Sequence, residues 1–214
     1  YRTDRWLGDT KGFYLVRQSR DLKRLDLCRV DIGSDSTRTI ISERERTYVE
    51  YRTPEFIDGG RKLIHWSERN GWANLYLYGS DGTLIRNLTE GAFHVEDVRG
   101  VNEKEGYILL SACGVNKDEN PYQMHTYRVD LKTGAMKLLD MADMDVAASA
   151  SESGKYFVAN CSRVDHKPFS VLYDASGRKL MELGDADFSR LFAAGYKFPE
   201  RFKVKAADGV TDLY

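Results

Sequence analysis

Apolar and polar residues alternate in short runs throughout the chain, and clusters of Gly, Asp, Asn and Ser break the runs about every ten residues, the pattern of an all-β protein. Helical periodicity enters only at residues 185–198, DADFSRLFAAGYKF, which predict one short helix. The strand runs themselves recur with a period of about fifty residues. In each of four copies a Gly-containing turn precedes an apolar strand: GDTKG before residues 13–16, DGGRK before 63–66, NEKEG before 107–110 and SESGK before 156–159. These strands start 50, 44 and 49 residues apart. A second strand follows at 25–30, 75–78, 125–129 and 169–173, each running into a turn that carries Gly33, Gly82, Gly134 or Gly177. A third closes each copy at 39–41, 84–88, 136–139 and 180–183, and a weaker strand ahead of each copy, at 6–7, 55–57, 95–101 and 146–149, brings the total to four per repeat.

Four-stranded units of this length are propeller blades. A blade buries the two faces of its sheet only against neighbouring blades, which explains why the apolar alternation returns in every copy. The predicted fold is therefore all-β: a β-propeller segment of about four four-stranded antiparallel blades, with a short C-terminal helix and strand linker. A β-sandwich also spaces strands at eight to twelve residues, but the fifty-residue recurrence favours the propeller. Asn70-Gly71 and Asp81-Gly82 are dipeptides suited to the positive φ of tight hairpins, and the small residues of the run 146–151, VAASAS, suit an innermost strand crowded against its neighbours. At the C-terminus, FKVKAADGVTDLY reads as a strand, an Asp208-Gly209 turn and the opening of a second strand, so the chain is expected to continue past Tyr214 in its parent protein.

Charge changes the picture by exclusion. With 32 Lys plus Arg against 33 Asp plus Glu, the formal net charge is -1 and no global field attracts nucleic acid or an anionic membrane. No basic stripe is interleaved with aromatics, and no apolar run reaches the roughly 20 residues of a membrane helix. Cys28, Cys113 and Cys161 are far apart and are expected to pack as small strand hydrophobes. The four histidines, His65, His94, His125 and His166, fall in different repeats at no ligand spacing, so neither a metal nor a cofactor is expected and they are taken as ordinary strand and turn residues. The sign-alternating run 42–46, SERER, predicts a solvated inter-blade loop. Residues 67–72, SERNGW, predict a strand end and hairpin with a local charge pair, in which Trp72 covers the blade edge. The Asn-x-Ser/Thr patterns at Asn87 and Asn160 carry no assigned role.

Several strings in order resemble the propeller of the dipeptidyl peptidase IV family of serine peptidases. They are RQSRDLKRLDL at 17–27, PEFIDGGRKLIHWSERNGWANLYLY at 54–78, IRNLTEGAFHVEDVRGV at 85–101, TYRVDL at 126–131 and SGKYFVANCSRVDHKP at 153–168. The resemblance implies a parent exopeptidase that removes dipeptides from peptide amino termini, with an eight-bladed propeller capping an α/β-hydrolase that carries a Ser-Asp-His triad. It divides the chain into blades at 1–184 and, at 185–214, a linker with the start of that hydrolase domain. Implied partners are peptide substrates and the chain's own C-terminal hydrolase domain, and the resemblance admits a homodimer and a periplasmic or secreted location. The sequence departs from the family at Ala73-Asn74 and at Ser151-Glu152-Ser153-Gly154, which leaves dipeptide preference open.

The catalytic machinery is missing from these residues. No Gly-x-Ser-x-Gly elbow and no Glu-Glu pair occurs, so no catalytic residue is assigned and this chain alone is expected to be inactive. Family propellers offer an aromatic and an Arg from an inter-blade segment to the outer substrate pocket, which makes Tyr51 and Arg52 the candidate substrate-binding residues, against a reading of Arg52 as a solvated charge near Glu43, Glu45 and Glu50. The competing class is a non-enzymatic TolB-like or WD40-like propeller that binds a protein partner.

Overall fold

The computed structural model describes residues 2–6, 11–141 and 143–214, with side chains from Trp6 onward. Sixteen of its strands form four sheets of four, each a meander in which neighbours in sequence are neighbours in the sheet. The first is β1 (Arg2–Trp6), β2 (Gly12–Gln18), β3 (Arg24–Asp31) and β4 (Ser36–Arg44). The second is β5 (Glu55–Ile57), β6 (Lys62–Ser67), β7 (Asn74–Gly79) and β8 (Leu84–Asn87). The third is β9 (His94–Asn102), β10 (Tyr107–Cys113), β11 (Met124–Asp130) and β12 (Met136–Leu138), and the fourth is β13 (Asp145–Ala150), β14 (Tyr156–Arg163), β15 (His166–Asp174) and β16 (Lys179–Asp185). These are the blades of a propeller segment, one for each sequence repeat. Leu7 and residues 8–10 of the first predicted turn lie outside the described residues.

The burial pattern shows why the periodicity was visible. Along β2 every second side chain, including Tyr14 and Val16, is buried, the period of a strand with one face inward. Along β10 the run YILLSA is buried on both faces. Tyr14, Val16, Leu25, Leu27, Leu63, Tyr76 and Tyr78 belong to one core cluster, and Tyr107, Leu109, Val146, Phe157, Ala159 and Tyr173 to another. Each large side chain so buried contributes about 1.5–3 kcal/mol relative to exposure. The chain divides into two compact units, residues 1–95 with 103–106 and 129–135, and residues 96–102 with 107–128 and 136–214.

Within each unit the same devices join one repeat to the next. The turn glycine before the last strand of a blade lies against the last-strand region of the preceding blade: a Cβ on Gly82 would meet the Ile40 carbonyl oxygen at 2.6 Å, one on Gly134 the Leu88 oxygen at 3.3 Å, and one on Gly177 the Leu139 oxygen at 3.2 Å. In the first blade the equivalent turn is a short 3-10 turn over Ile32–Ser34, and the left-handed residue is Asp35 at φ 49° rather than Gly33. Small residues also set the approach of inner strands, since a Cβ on Gly100 of β9 would lie 3.0 Å from the Ala150 Cβ of β13.

After β16 the helix is shorter than its periodicity suggested, spanning Ser189–Ala193 (α1). Phe188, Phe192, Tyr196 and Phe198 pack around it ring to ring, with centroids 5.5–6.2 Å apart. The predicted terminal hairpin is present as β17 (Val204–Lys205) paired with β18 (Asp212–Leu213). Among the described residues no helix is long and apolar enough to cross a membrane.

Candidate functional site

The segment between β4 and β5 carries both predicted binding residues. It is tied to the first blade at Val49, whose N–H donates to the Leu22 carbonyl at 2.8 Å and whose carbonyl accepts from Gln18 Nε2 at 3.2 Å. That anchor directs the next residues: Tyr51 packs against the core cluster of the first unit, while Arg52 turns back across β6. Arg52 Nε donates to Glu50 Oε1 at 2.9 Å, and its guanidinium lies 4.7 Å from the centroid of the Trp66 ring. Trp66 is itself fixed, with its indole N–H donating to the Val95 carbonyl at 2.7 Å. The Arg52 side chain is 24% exposed, so it is a held cation rather than a freely solvated one. A planar guanidinium held over an aromatic ring suits recognition of a peptide carbonyl or carboxylate.

Beside Trp66 on β6 lies a charged cluster that the sequence reading assigned elsewhere. The SERER run is not a solvated loop: residues 42–44 end β4, the alternation of charge is the alternation of strand faces, and Glu43 is buried at 8% exposure. His65 Nε2 lies 3.0 Å from Glu43 Oε1, and Arg69 ion-pairs with the same oxygen. Arg69 also donates to the Tyr78 hydroxyl and stacks over Tyr76 at 4.4 Å and Tyr78 at 5.6 Å. Burial opposes ionisation of Glu43, but the His65 hydrogen bond and the charges around it win and lower its pKa. In the hairpin itself the Gly71 N–H donates to the Glu68 carbonyl at 2.7 Å, as Asn70-Gly71 predicted. The charge pair is Arg69 with Glu43 instead of a local one, and Trp72 remains 46% exposed.

A groove of about 1460 Å³ opens in the second unit between residues 117–120, Asp143, residues 164–165, the segment 198–204 and residues 213–214. Its floor is braced by four charges. Arg163 bonds Asp143 at 2.6 Å and Asp165 at 2.5 Å, and Arg201 from the C-terminal segment bonds both aspartates at 3.1 Å. The hydrogen bond from Arg201 is the leading cause that lowers the Asp143 pKa. Buried in the same unit, His125 of β11 is 1% exposed between two carboxylates, with Nδ1 2.7 Å from Asp140 and Nε2 3.3 Å from Glu119.

All four histidines lie on strands, but His65 and His125 are ionic hubs, which their sequence spacing did not reveal. Glu43 is 22 residues from His65 and meets it where the last strand of the first blade packs on the second blade, while Asp140 is 15 residues from His125 and comes back to it just past β12, the strand paired with β11. Cys28, Cys113 and Cys161 are free thiols on β3, β10 and β14. Among the described residues no group of three or more His, Cys, Asp or Glu is arranged to hold a metal ion.

Comparison with known proteins identifies the architecture. The family model for the dipeptidyl peptidase IV N-terminal region matches residues 2–168. Dipeptidyl peptidase 4 from Arthroderma otae is 25% identical over 95% of this chain and 27% of its own length. That from Trichophyton equinum is 27% identical over 72% of this chain and 20% of its own length. The chain thus spans about a quarter of the length of these curated relatives. The crystal structure of Porphyromonas gingivalis dipeptidyl peptidase 4 superposes with a TM-score of 0.77 at 19% identity, covering 91% of this chain and 27% of that one. A Bacteroides ovatus structure described as a candidate dipeptidyl aminopeptidase IV reaches 0.80 at 23% identity, covering 99% and 33%.

Proposed function

This chain belongs to the dipeptidyl peptidase IV N-terminal region family, and from that premise we propose that it is the substrate-gating propeller portion of a serine peptidase that cleaves dipeptides from peptide amino termini. The observation that carries the reading is the match over residues 2–168 to a sequence whose four repeats fold as four four-stranded sheets. In this proposal residues 1–184 are blades, and residues 185–214 are a linker with the first strands of a C-terminal hydrolase domain. The nucleophile, base and oxyanion hole belong to that domain, and this chain contributes entry control and binding groups. Its location is outside the cytoplasm, as befits an enzyme that trims extracytoplasmic peptides.

Arg52 and Tyr51 are the proposed binding groups. Arg52 supplies a preorganised donor to the substrate backbone, and Tyr51 supplies the aromatic wall beside it. In the intact protein, Arg52→Ala is expected to raise KM for dipeptide-releasing substrates about tenfold, the scale of one charge-assisted hydrogen bond, with kcat little changed. Unchanged KM removes Arg52 from the binding role. An intact protein that releases no dipeptides at all would overturn the peptidase reading and favour a propeller that binds a protein partner.

A further inference from the structure

The buried imidazole of His125 joins an exposed loop to the sheet beneath it. Residues 114–123 connect β10 to β11, and residues 117–120 of this loop form one wall of the 1460 Å³ groove. Several of the loop's hydrogen bonds close it on itself: Lys117 Nζ donates to the Gly114 carbonyl at 2.7 Å, and the Tyr122 N–H donates to Asn120 Oδ1 at 3.0 Å. The Glu119 carboxylate instead reaches inward, where its side chain is 5% exposed and faces His125 Nε2 at 3.3 Å. On the other side of the ring Asp140 sits at 2.7 Å from Nδ1, and it is pinned by the Thr126 N–H donating to its second oxygen at 2.5 Å.

An imidazole can satisfy two flanking carboxylates only when both ring nitrogens carry protons. The neutral ring keeps a single N–H. The shorter contact and the pinned partner assign that proton to Nδ1 and Asp140, which leaves the Nε2 lone pair facing the Glu119 carboxylate. Two acceptors opposed in a buried site repel, and Glu119 then keeps the more distant bond from the Asp143 N–H at 3.4 Å. Gly114, at φ +73°, supplies a backbone pivot at the start of the loop.

We propose that Glu119, His125 and Asp140 form a proton-operated latch that fastens the 114–123 loop to the sheet while His125 is doubly protonated and releases this wall of the groove when the ring becomes neutral. The charged groups around the ring favour the fastened state. Burial alone would lower the His125 pKa, but the Asp140 hydrogen bond and the charges of Asp140, Glu119 and Asp145 outweigh it and hold it above 6.5. The neighbouring Tyr127 hydroxyl is pushed up by burial and by Glu119 and Asp140, and the Cys113 and Cys161 thiols are pushed up by burial and nearby carboxylates, so these three stay neutral through the same range. The latch is independent of the peptidase reading, because it needs no substrate.

Hydrogen exchange of the intact protein, corrected for intrinsic rates, tests it between about pH 6 and about pH 9, on either side of an imidazole's range. Protection of the 114–123 amides is expected to fall about tenfold for each unit by which the His125 pKa with the loop fastened exceeds its pKa with the loop released, while amides of β14 keep their protection. Glu119→Gln leaves the His125–Asp140 pair in place, and because its amide can accept from the protonated ring or donate to the neutral one, loop protection is expected to become independent of pH. His125→Gln is expected to abolish the pH dependence. Loop protection that does not change with pH in the unsubstituted protein, a change matched by β14, or retention of the full pH response in Glu119→Gln would overturn the latch.

Discussion

The Tyr107 hydroxyl donates to the Gly154 carbonyl at 3.1 Å, 47 residues further along the chain, and Tyr14 makes the same bond to Gly60 at 3.2 Å across 46 residues. One tyrosine on the second strand of a blade thus reaches the turn between the first two strands of the next blade, in both units. The Tyr107 oxygen also accepts from Asn102 Nδ2 at 3.1 Å, so its removal leaves a buried carbonyl and a buried amide short of a partner. Tyr107→Phe is expected to cost about 2 kcal/mol, above the mean for a single hydrogen bond. Tyr14→Phe removes the bond to Gly60 together with the contacts of the same hydroxyl with Arg29 and Ser80, and should cost a similar amount. Urea denaturation followed by intrinsic fluorescence measures both, and a loss below about 0.5 kcal/mol in either variant would show that its hydroxyl does not hold the blades together.

Gly82 and Gly71 have nearly the same backbone, at φ +89° and +85°, but different surroundings. A methyl at Gly71 meets open space, whereas at Gly82 it collides with the Ile40 backbone. Gly71→Ala is expected to cost about 1 kcal/mol, the left-handed strain alone. Gly82→Ala adds displacement of the preceding blade, and a total of about 3 kcal/mol is expected. Thermal melts of the two variants read the difference directly, and the prediction fails if the two melt together.

This contrast also shows what the sequence could and could not disclose. Asp81-Gly82 marks a turn because few residues other than Gly adopt its φ, and that is a local property. That Gly82 also serves as a contact face between blades depends on Ile40, which only the folded repeat brings near. The strands were legible for a similar reason: Tyr14, Val16, Leu25 and Leu27 record in their own spacing which face is inward. Glu43 was not, because a charge alternation reads equally well as a solvated loop or as a strand with one ion turned inward. His125 shows the same limit, since Asp140 and Glu119 approach it from a strand end and a loop. Tyr51 and Arg52 came from resemblance to a family, and the structure adds the Trp66 platform that the segment's own residues do not announce.

The thiols offer a chemical check on burial. Burial, with a contribution from Asp140, pushes the Cys161 thiol up to about 11, and burial is also the main cause that raises Cys113. Thiolate, the reactive form, is therefore scarce at both positions near neutral pH. Native protein treated with iodoacetamide at about pH 8, close to a free thiol's pKa, is expected to show little labelling at Cys161 by mass spectrometry, and urea-unfolded protein full labelling. Rapid native labelling of Cys161 would mean that the fourth blade opens more readily than its packing implies.

Glu43 ties stability to acid pH. Its pKa is lowered in the folded chain from 4.5, because the His65 hydrogen bond and the Arg69 charge outweigh burial, so the folded state binds this proton less readily than the unfolded one. The resulting stabilisation is fully present above the unfolded value and disappears as pH falls through the folded value. Glu43→Gln removes the charge but keeps the shape, leaving the Arg69 guanidinium without its carboxylate on the Tyr76 and Tyr78 rings. At about pH 7 the substitution is expected to cost about 3 kcal/mol, the lower end for breaking a buried pair, since Arg69 keeps 31% of its side chain in solvent. As pH falls through the lowered Glu43 value, beneath the ordinary carboxyl range, the two proteins should converge, because protonated Glu43 resembles the amide. A stability difference between the two that stays constant from neutral to acid pH would mean that Glu43 acts through packing alone.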